Sequence, residues 1–425
     1  MDAIINHSGV ATHPVVFGVY RDGDNNLDAV QERNVSDFVK TTASNAALKV
    51  VAEDTTALPH APFGSGDLRT ESSIIQGGRQ HVIRVQPPAN MSDRRTLADF
   101  VRTTLEAKSN DSKFASSQVW LDLVDHGGGD GGGLQSDSTG GCMSMEDIAG
   151  AITDGKAAFL RAHPGADATV TGVVANQCLM DTLGFADALS RAGVKYLAAS
   201  PETMLAPGVP SAKVADALTR DGAGWPQAVV DATMRARYDI GGDAYHPAAA
   251  FDVLDLDPAK LASVRSAVHA LNDEVAGLRR TAGGAELLRD VRGDVRSVRG
   301  MVRFDHSADM PWHADRPAEA VYGSIADDAR LPERIRDAAR HASTAVDALV
   351  LAHQESSDFG PFHASYADAA GPTGHFPVTR KSYDSWADAG AAETHNGFYD
   401  AVNGREFARA VGAYNAREDA AGEVA

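Results

Sequence analysis

At 425 residues, 43% hydrophobic and 23% charged, the chain has the composition of an ordinary soluble globular protein and the length of two or three domains. A formal charge of −19 without any basic stripe argues against nucleic-acid binding, and no apolar run approaches the roughly 18 residues of a membrane-spanning helix. Two cysteines are too few for a disulfide framework or a cysteine-based structural zinc site.

The N-terminal stretch has neither a basic start nor a long apolar segment, so a cytoplasmic protein is expected; a leaderless export route would leave no mark in the sequence. Val15–Tyr20 reads as a strand running into the turn-rich segment RDGDNN, followed by a helix from Leu27 to Lys40. Ala47–Ala52 is a second strand closed by Glu53 and Asp54, and residues 61–90 read as a hairpin excursion with period-two alternation at His81–Val85. A helix over Thr96–Leu105 starts at Ser92 and Asp93. The strand Gln118–Val124 ends in Asp125, His126 and three glycines. Ser144 and Asp147 make a capping pattern for a helix reaching Arg161. Thr169–Val174 is a strand ending in Ala175-Asn176-Gln177-Cys178; a helix through Phe185–Arg191 and a strand at Val194–Ala199 follow. Such strand–helix repetition predicts a mostly parallel sheet covered on both faces. Beyond about residue 250, Pro258–Arg280 and Pro332–Leu351 read as long amphipathic helices, with loop and broken helix between them. The expected division is a catalytic domain over 1–255, a helical accessory region over 256–360, and a segment over 361–425 that returns to the sheet.

In open α/β sheets, ligands bind beyond the carboxyl ends of the strands. Two strands here end in reactive groups, His126 before glycines and Cys178 before a helix. On neighbouring strands they form a thiol–imidazole pair, in which the imidazole activates the thiol and protonates a leaving amine. The helix start would add amide donors and a favourable dipole beside the sulfur. The amides of Gly127 and Cys178 are the natural oxyanion donors. Either residue alone is more often structural, but the separation of about 50 residues matches that of the His and Cys in caspases.

The segments YRDGDNNLD, TLADFV, WLDLVDHGGG, ANQCLMDTLGFADAL and VKYLAASPET, with a weaker echo in AAGPTGHFP, resemble the clostripain-like cysteine peptidases. The resemblance covers residues 14–205 and implies the caspase–haemoglobinase fold, a three-layer α/β sandwich. It implies a cysteine endopeptidase acting on proteins or peptides, with Cys178 as nucleophile and His126 as acid–base partner. Family members usually read Asp-Ala-Cys at the nucleophile, the Asp favouring Arg or Lys at the cleaved bond. This chain has Asn176-Gln177-Cys178, so Glu202 or Asp181 must supply that charge if basic specificity persists. Asn176, Glu202 and Thr203 are therefore the candidate substrate-binding residues. Relatives often cut themselves after a basic residue following the His, but no Lys or Arg lies between His126 and Lys156. Calcium is a possible cofactor by the same resemblance, through Asp22/Asp24 or Asp130/Asp137, although a turn and helix cap explains Asp22–Asn26 as well. Cys142 reads as buried or pocket-lining. His306, His313 and His363 show no metal-binding spacing. The competing reading is a catalytically inactive binding or regulatory module of the same fold.

Overall fold

Short apolar runs bounded by turn residues assemble into one nine-stranded sheet in the computed structural model. The structure describes residues 4–5, 11–28, 33–57, 68–136, 139–220, 222–240, 243–300, 315–356, 371–378 and 397–412. Five strands run parallel, in the spatial order Leu48–Ala57, Val15–Asp22, Gln118–Val124, Gly172–Asn176 and Tyr196–Ala199. The hairpin Leu68–Gln76/Arg79–Gln86 extends one edge antiparallel, turning through Gly77 and Gly78 at φ of 59° and 77°. That left-handed backbone is what a two-residue hairpin demands and glycine supplies without steric cost. Ala250–Asp255 and Val350–Glu355 complete the opposite edge.

The central strands alternate side chains between two buried layers, as period two requires. Val15, Phe17, Trp120, Val174 and Ala198 meet residues of the helices Arg33–Ser44, Ser211–Leu218 and Trp225–Met234. Val16, Tyr20, Leu121, Val173 and Leu197 join the core formed with Arg94–Ser109, Met145–Ala162 and Leu183–Arg191. The result is the expected three-layer α/β sandwich. Trp120 stacks on Tyr196 at 5.9 Å and meets Trp225 edge-on at 5.4 Å. The indole lies over Gly172 on the neighbouring strand, where a Cβ would stand 2.2 Å from the ring.

Several boundaries move. The second strand runs through Glu53 and Asp54 to Ala57, because Glu53 accepts from Ser72 and Asp54 pairs with the buried Arg21. The first helix runs past Lys40 to Ser44; it is described from Arg33, and residues 29–32 of the expected span lie outside the described residues. Ala250–Asp255 was missed as a strand, its apolar run being too short to separate from a buried helix by period alone. The helices Pro258–Gly277, Gly284–Ser297, Ala318–Asp327 and Glu333–Asp347 contribute to the same continuous core as one sheet face. The strand from the expected accessory region that rejoins the sheet is Val350–Glu355. Within 361–425, Thr373–His375 instead pairs with Asp315–Pro317 and bridges to Thr182. Among the described residues, no helix is long and apolar enough to cross a membrane.

Asp122 sits mid-strand without solvent exposure, and burial pushes its carboxyl from 3.8 up to about 7 despite the Ser211 hydroxyl. The fold therefore holds a proton that the unfolded chain releases near pH 4, and stability falls as pH rises from about 4 to about 7. Asp122→Asn should remove part of this slope and stabilise the protein at pH 8 by on the order of a few kcal/mol, read from thermal melts across that pH range.

Candidate active site

The parallel register between Gln118–Val124 and Gly172–Asn176 pairs Val124 with Asn176, and the Asp125 amide continues the ladder to the Asn176 carbonyl at 3.3 Å. His126 and Cys178 each stand two residues beyond that shared rung, over the same carboxyl edge. Gly127 then crosses the Cys178 loop at close quarters. A Cβ there would meet the Cys178 carbonyl oxygen at 2.2 Å and both Gln177 Cβ and Met180 Cγ at 2.9 Å. Only glycine fits without parting the loops.

The glycine-rich stretch folds back as a narrow bridge between Gly127 and Gly133. Its bonds run from Gly128 N to the Gly132 carbonyl (2.8 Å) and from Leu134 N to the His126 carbonyl (3.2 Å). The Gly127 amide thus takes no part in that bridge, as an oxyanion donor requires.

His126 is braced by the turn after the first long strand. Its Nε2 lies 2.7 Å from Asn26 Oδ1. A carbonyl oxygen only accepts, so Nε2 carries the proton in the neutral ring and any gain of a second proton occurs at Nδ1. Asp125 Oδ1 accepts from the His126 amide and from Asn25 Nδ2, both at 2.6 Å, while Asn25 Nδ2 also reaches the Gln135 carbonyl. Burial, with Asp22 nearby, pushes the Asp125 carboxyl well above its usual range. The sequence signal for Asn25 and Asn26 was present in DGDNN but read only as turn chemistry.

Cys178 is half-buried, and its sulfur accepts a hydrogen bond from the Met204 amide at 3.2 Å. The next residue, Leu179, takes the left-handed conformation at φ 65°, which turns the chain so that its amide reaches the Glu202 carbonyl. The following helix begins at Leu183, capped by Thr182, five residues past the cysteine. The expected helix-dipole contribution is therefore replaced by the amide of the 202–204 segment.

The candidate pocket residues occupy different positions around this loop. Asn176 is buried and its amide is committed to the loop that follows. Oδ1 accepts from Val209 N (2.7 Å), and Nδ2 donates to the Val209 carbonyl and Ser211 Oγ, both at 3.2 Å. Glu202 and Thr203 are buried beside Met204, and Glu202 Oε1 lies 3.8 Å from the Arg299 guanidinium. Asp181 is fully buried next to Asp252, and desolvation together with Asp252 drives its carboxyl well upward. Enclosed in this way, it offers no surface to a substrate side chain.

Asp22 and Asp24 serve the turn, with Asp22 Oδ1 accepting from the Asp24 amide (2.9 Å) and Asp24 Oδ2 from Ser136 Oγ (2.5 Å). Asp130 meets Asp315 and His375, and Asp137 lies outside the described residues. His306, His313 and His363 also lie outside them. Cys142 is exposed and lines a polar cavity of about 580 Å³ with Asn90, Arg94 and Asp147.

No family model and no curated protein matches the chain. Solved structures do. A secreted clostripain-like (C11) cysteine protease from Bacteroides thetaiotaomicron, in complex with an irreversible peptide inhibitor, aligns at TM-score 0.63 and 13% identity over 92% of this chain and 99% of that one. An inactive zymogen of the same protease type from Parabacteroides distasonis aligns at TM-score 0.58 and 14% identity, over 92% and 98%. The chain therefore has the caspase-like fold that these cysteine proteases share.

Gly127→Ala should separate the His and Cys loops while leaving the sheet folded. Alkylation of Cys178 at pH 7 is expected to slow about tenfold, one pKa unit of lost thiolate stabilisation; mass-spectrometric labelling rates check this, and an unchanged rate would show that the close approach does not activate the thiol.

Proposed function

We propose that the protein is a cysteine endopeptidase working through Cys178 and His126. The observation carrying this reading is the shared rung that aims both residues over one sheet edge, with Gly127 packed against the Cys178 carbonyl. The peptide-inhibited protease of the same fold supports it.

The Cys178 thiolate attacks the substrate carbonyl, and the amides of Gly127 and Cys178 receive the negative charge that develops on oxygen. His126, held through Nε2 by Asn26, gives its Nδ1 proton to the departing amine. A water molecule then cleaves the thioester, returning its proton to the same nitrogen. Asn26 is a positioning residue in this scheme, fixing the tautomer.

Cleavage after Arg or Lys fits one acidic group. With Asn176 committed to Val209 and Ser211 and Asp181 buried against Asp252, the carboxylate offered for that role is Glu202, whose Oε1 lies 3.8 Å from the Arg299 guanidinium. Because no basic residue separates His126 from Lys156, the enzyme works without a cut at a basic site in that loop.

A peptide library varied at the residue before the cut tests the proposal. Turnover should favour Arg and Lys and vanish in Cys178→Ala. Glu202→Gln should lower kcat/KM for those substrates by about 30-fold or more, the cost of about 2 kcal/mol for removing one partner of a desolvated charge pair. Absence of any turnover, together with no labelling by a thiol-reactive peptide, would identify a binding module instead.

A further inference from the structure

We infer that Asp130, Asp315 and His375 form a binding site for a divalent first-row transition ion of the zinc type, tying the His126 loop to the C-terminal part of the chain. One ligand atom from each side chain falls within a group no more than 4.8 Å across. Exposures are 9%, 2% and 5%, so two carboxylates and an imidazole converge away from solvent. Three separate stretches supply them. Asp130 belongs to the Gly129–Gly131 turn just after the catalytic histidine. Asp315 and His375 face each other across the short ladder of Asp315–Pro317 with Thr373–His375.

The local packing holds this geometry. Asp315 Oδ1 lies 2.7 Å from His375 Nδ1, and a Cβ on Gly129 (φ 63°) would meet Asp315 Oδ2 at 2.8 Å. The His375 amide donates to the buried Tyr399 hydroxyl.

The donor set selects the ion. Calcium takes six to eight oxygens and magnesium keeps most of its water, whereas imidazole with carboxylate suits zinc and its neighbours. Three protein ligands leave room for a solvent ligand around a tetrahedral ion. An ion there would clamp the turn that follows His126 onto strands near the end of the chain. This inference stands apart from the proteolytic proposal and survives its failure.

The test uses the full chain carrying Cys178→Ala, so that the thiol–imidazole pair does not itself take up zinc. After chelator treatment, Zn²⁺ titration by calorimetry should show one tight equivalent that is absent when His375→Gln is added and weakened about 100-fold by Asp130→Asn. Co²⁺ should give a visible d–d spectrum without a thiolate charge-transfer band. With free Zn²⁺ a hundredfold above its Kd, the folded-to-unfolded ratio should rise about 100-fold, seen as a higher melting temperature. Ca²⁺ at the same concentration should leave it unchanged. Should the His375 variant fail to fold, the Asp130→Asn titration decides alone. No stoichiometric Zn²⁺ binding, binding that both substitutions leave intact, or preferential Ca²⁺ binding would overturn the assignment.

Discussion

The contact on which the site depends is the passage of Gly127 over the Cys178 carbonyl, where a single methyl group would stand 2.2 Å from oxygen. Parallel pairing of the two strands brings the residues to the same level, but parallel strands alone leave their loops free to diverge. The glycine closes that gap. Once it is closed, the Asp125 carboxyl, Asn25 and Asn26 can brace the histidine side, while the Glu202 carbonyl and the Met204 amide hold the cysteine side. These braces follow the ends of three strands, as expected of a site built at the carboxyl rim of an α/β sheet.

Buried acids form a second theme. The chain carries 58 acidic residues against 39 basic ones, yet several acids near the rim are removed from water rather than displayed. Asp122 is pushed up to about 7 by burial alone against one hydroxyl. Asp181 and Asp252 share a fully buried space, with His353 bonded to Asp252 through Nδ1. Burial lowers the His353 imidazole as it raises the two carboxyls. Such groups lie withdrawn from water between the loop after Cys178 and the last strands of the sheet, which is why net negative charge alone says little about where a basic substrate would sit.

Much of this architecture was legible because hydrophobic period and turn chemistry agreed. Gln118–Val124 appears with its predicted ends, and Ser144 caps its helix through the Asp147 amide as the spacing indicated. Errors fell where tertiary contact overrode local preference. Glu53 and Asp54 looked like strand terminators but continue the strand, because Ser72 and Arg21 lie in position to satisfy them. The first two residues of Val350–Glu355 were counted in the helix expected to reach Leu351, since six residues at an edge carry too little period to stand apart. His375 lay in a segment noticed only as a weak echo, and nothing local announces that it faces Asp315 from 60 residues away.

The sequence by itself determined the reactive residue types and the strand ends that carry them, because backbone pattern and glycine placement act over a few residues. Only the tertiary structure decided which partners those residues meet. Asn26 reaches His126 across 100 positions, and Asn176 is spent on Val209 and Ser211 rather than offered to a substrate. Pairings of that kind depend on strand order and register, which arise from packing the whole sheet between its two helical layers.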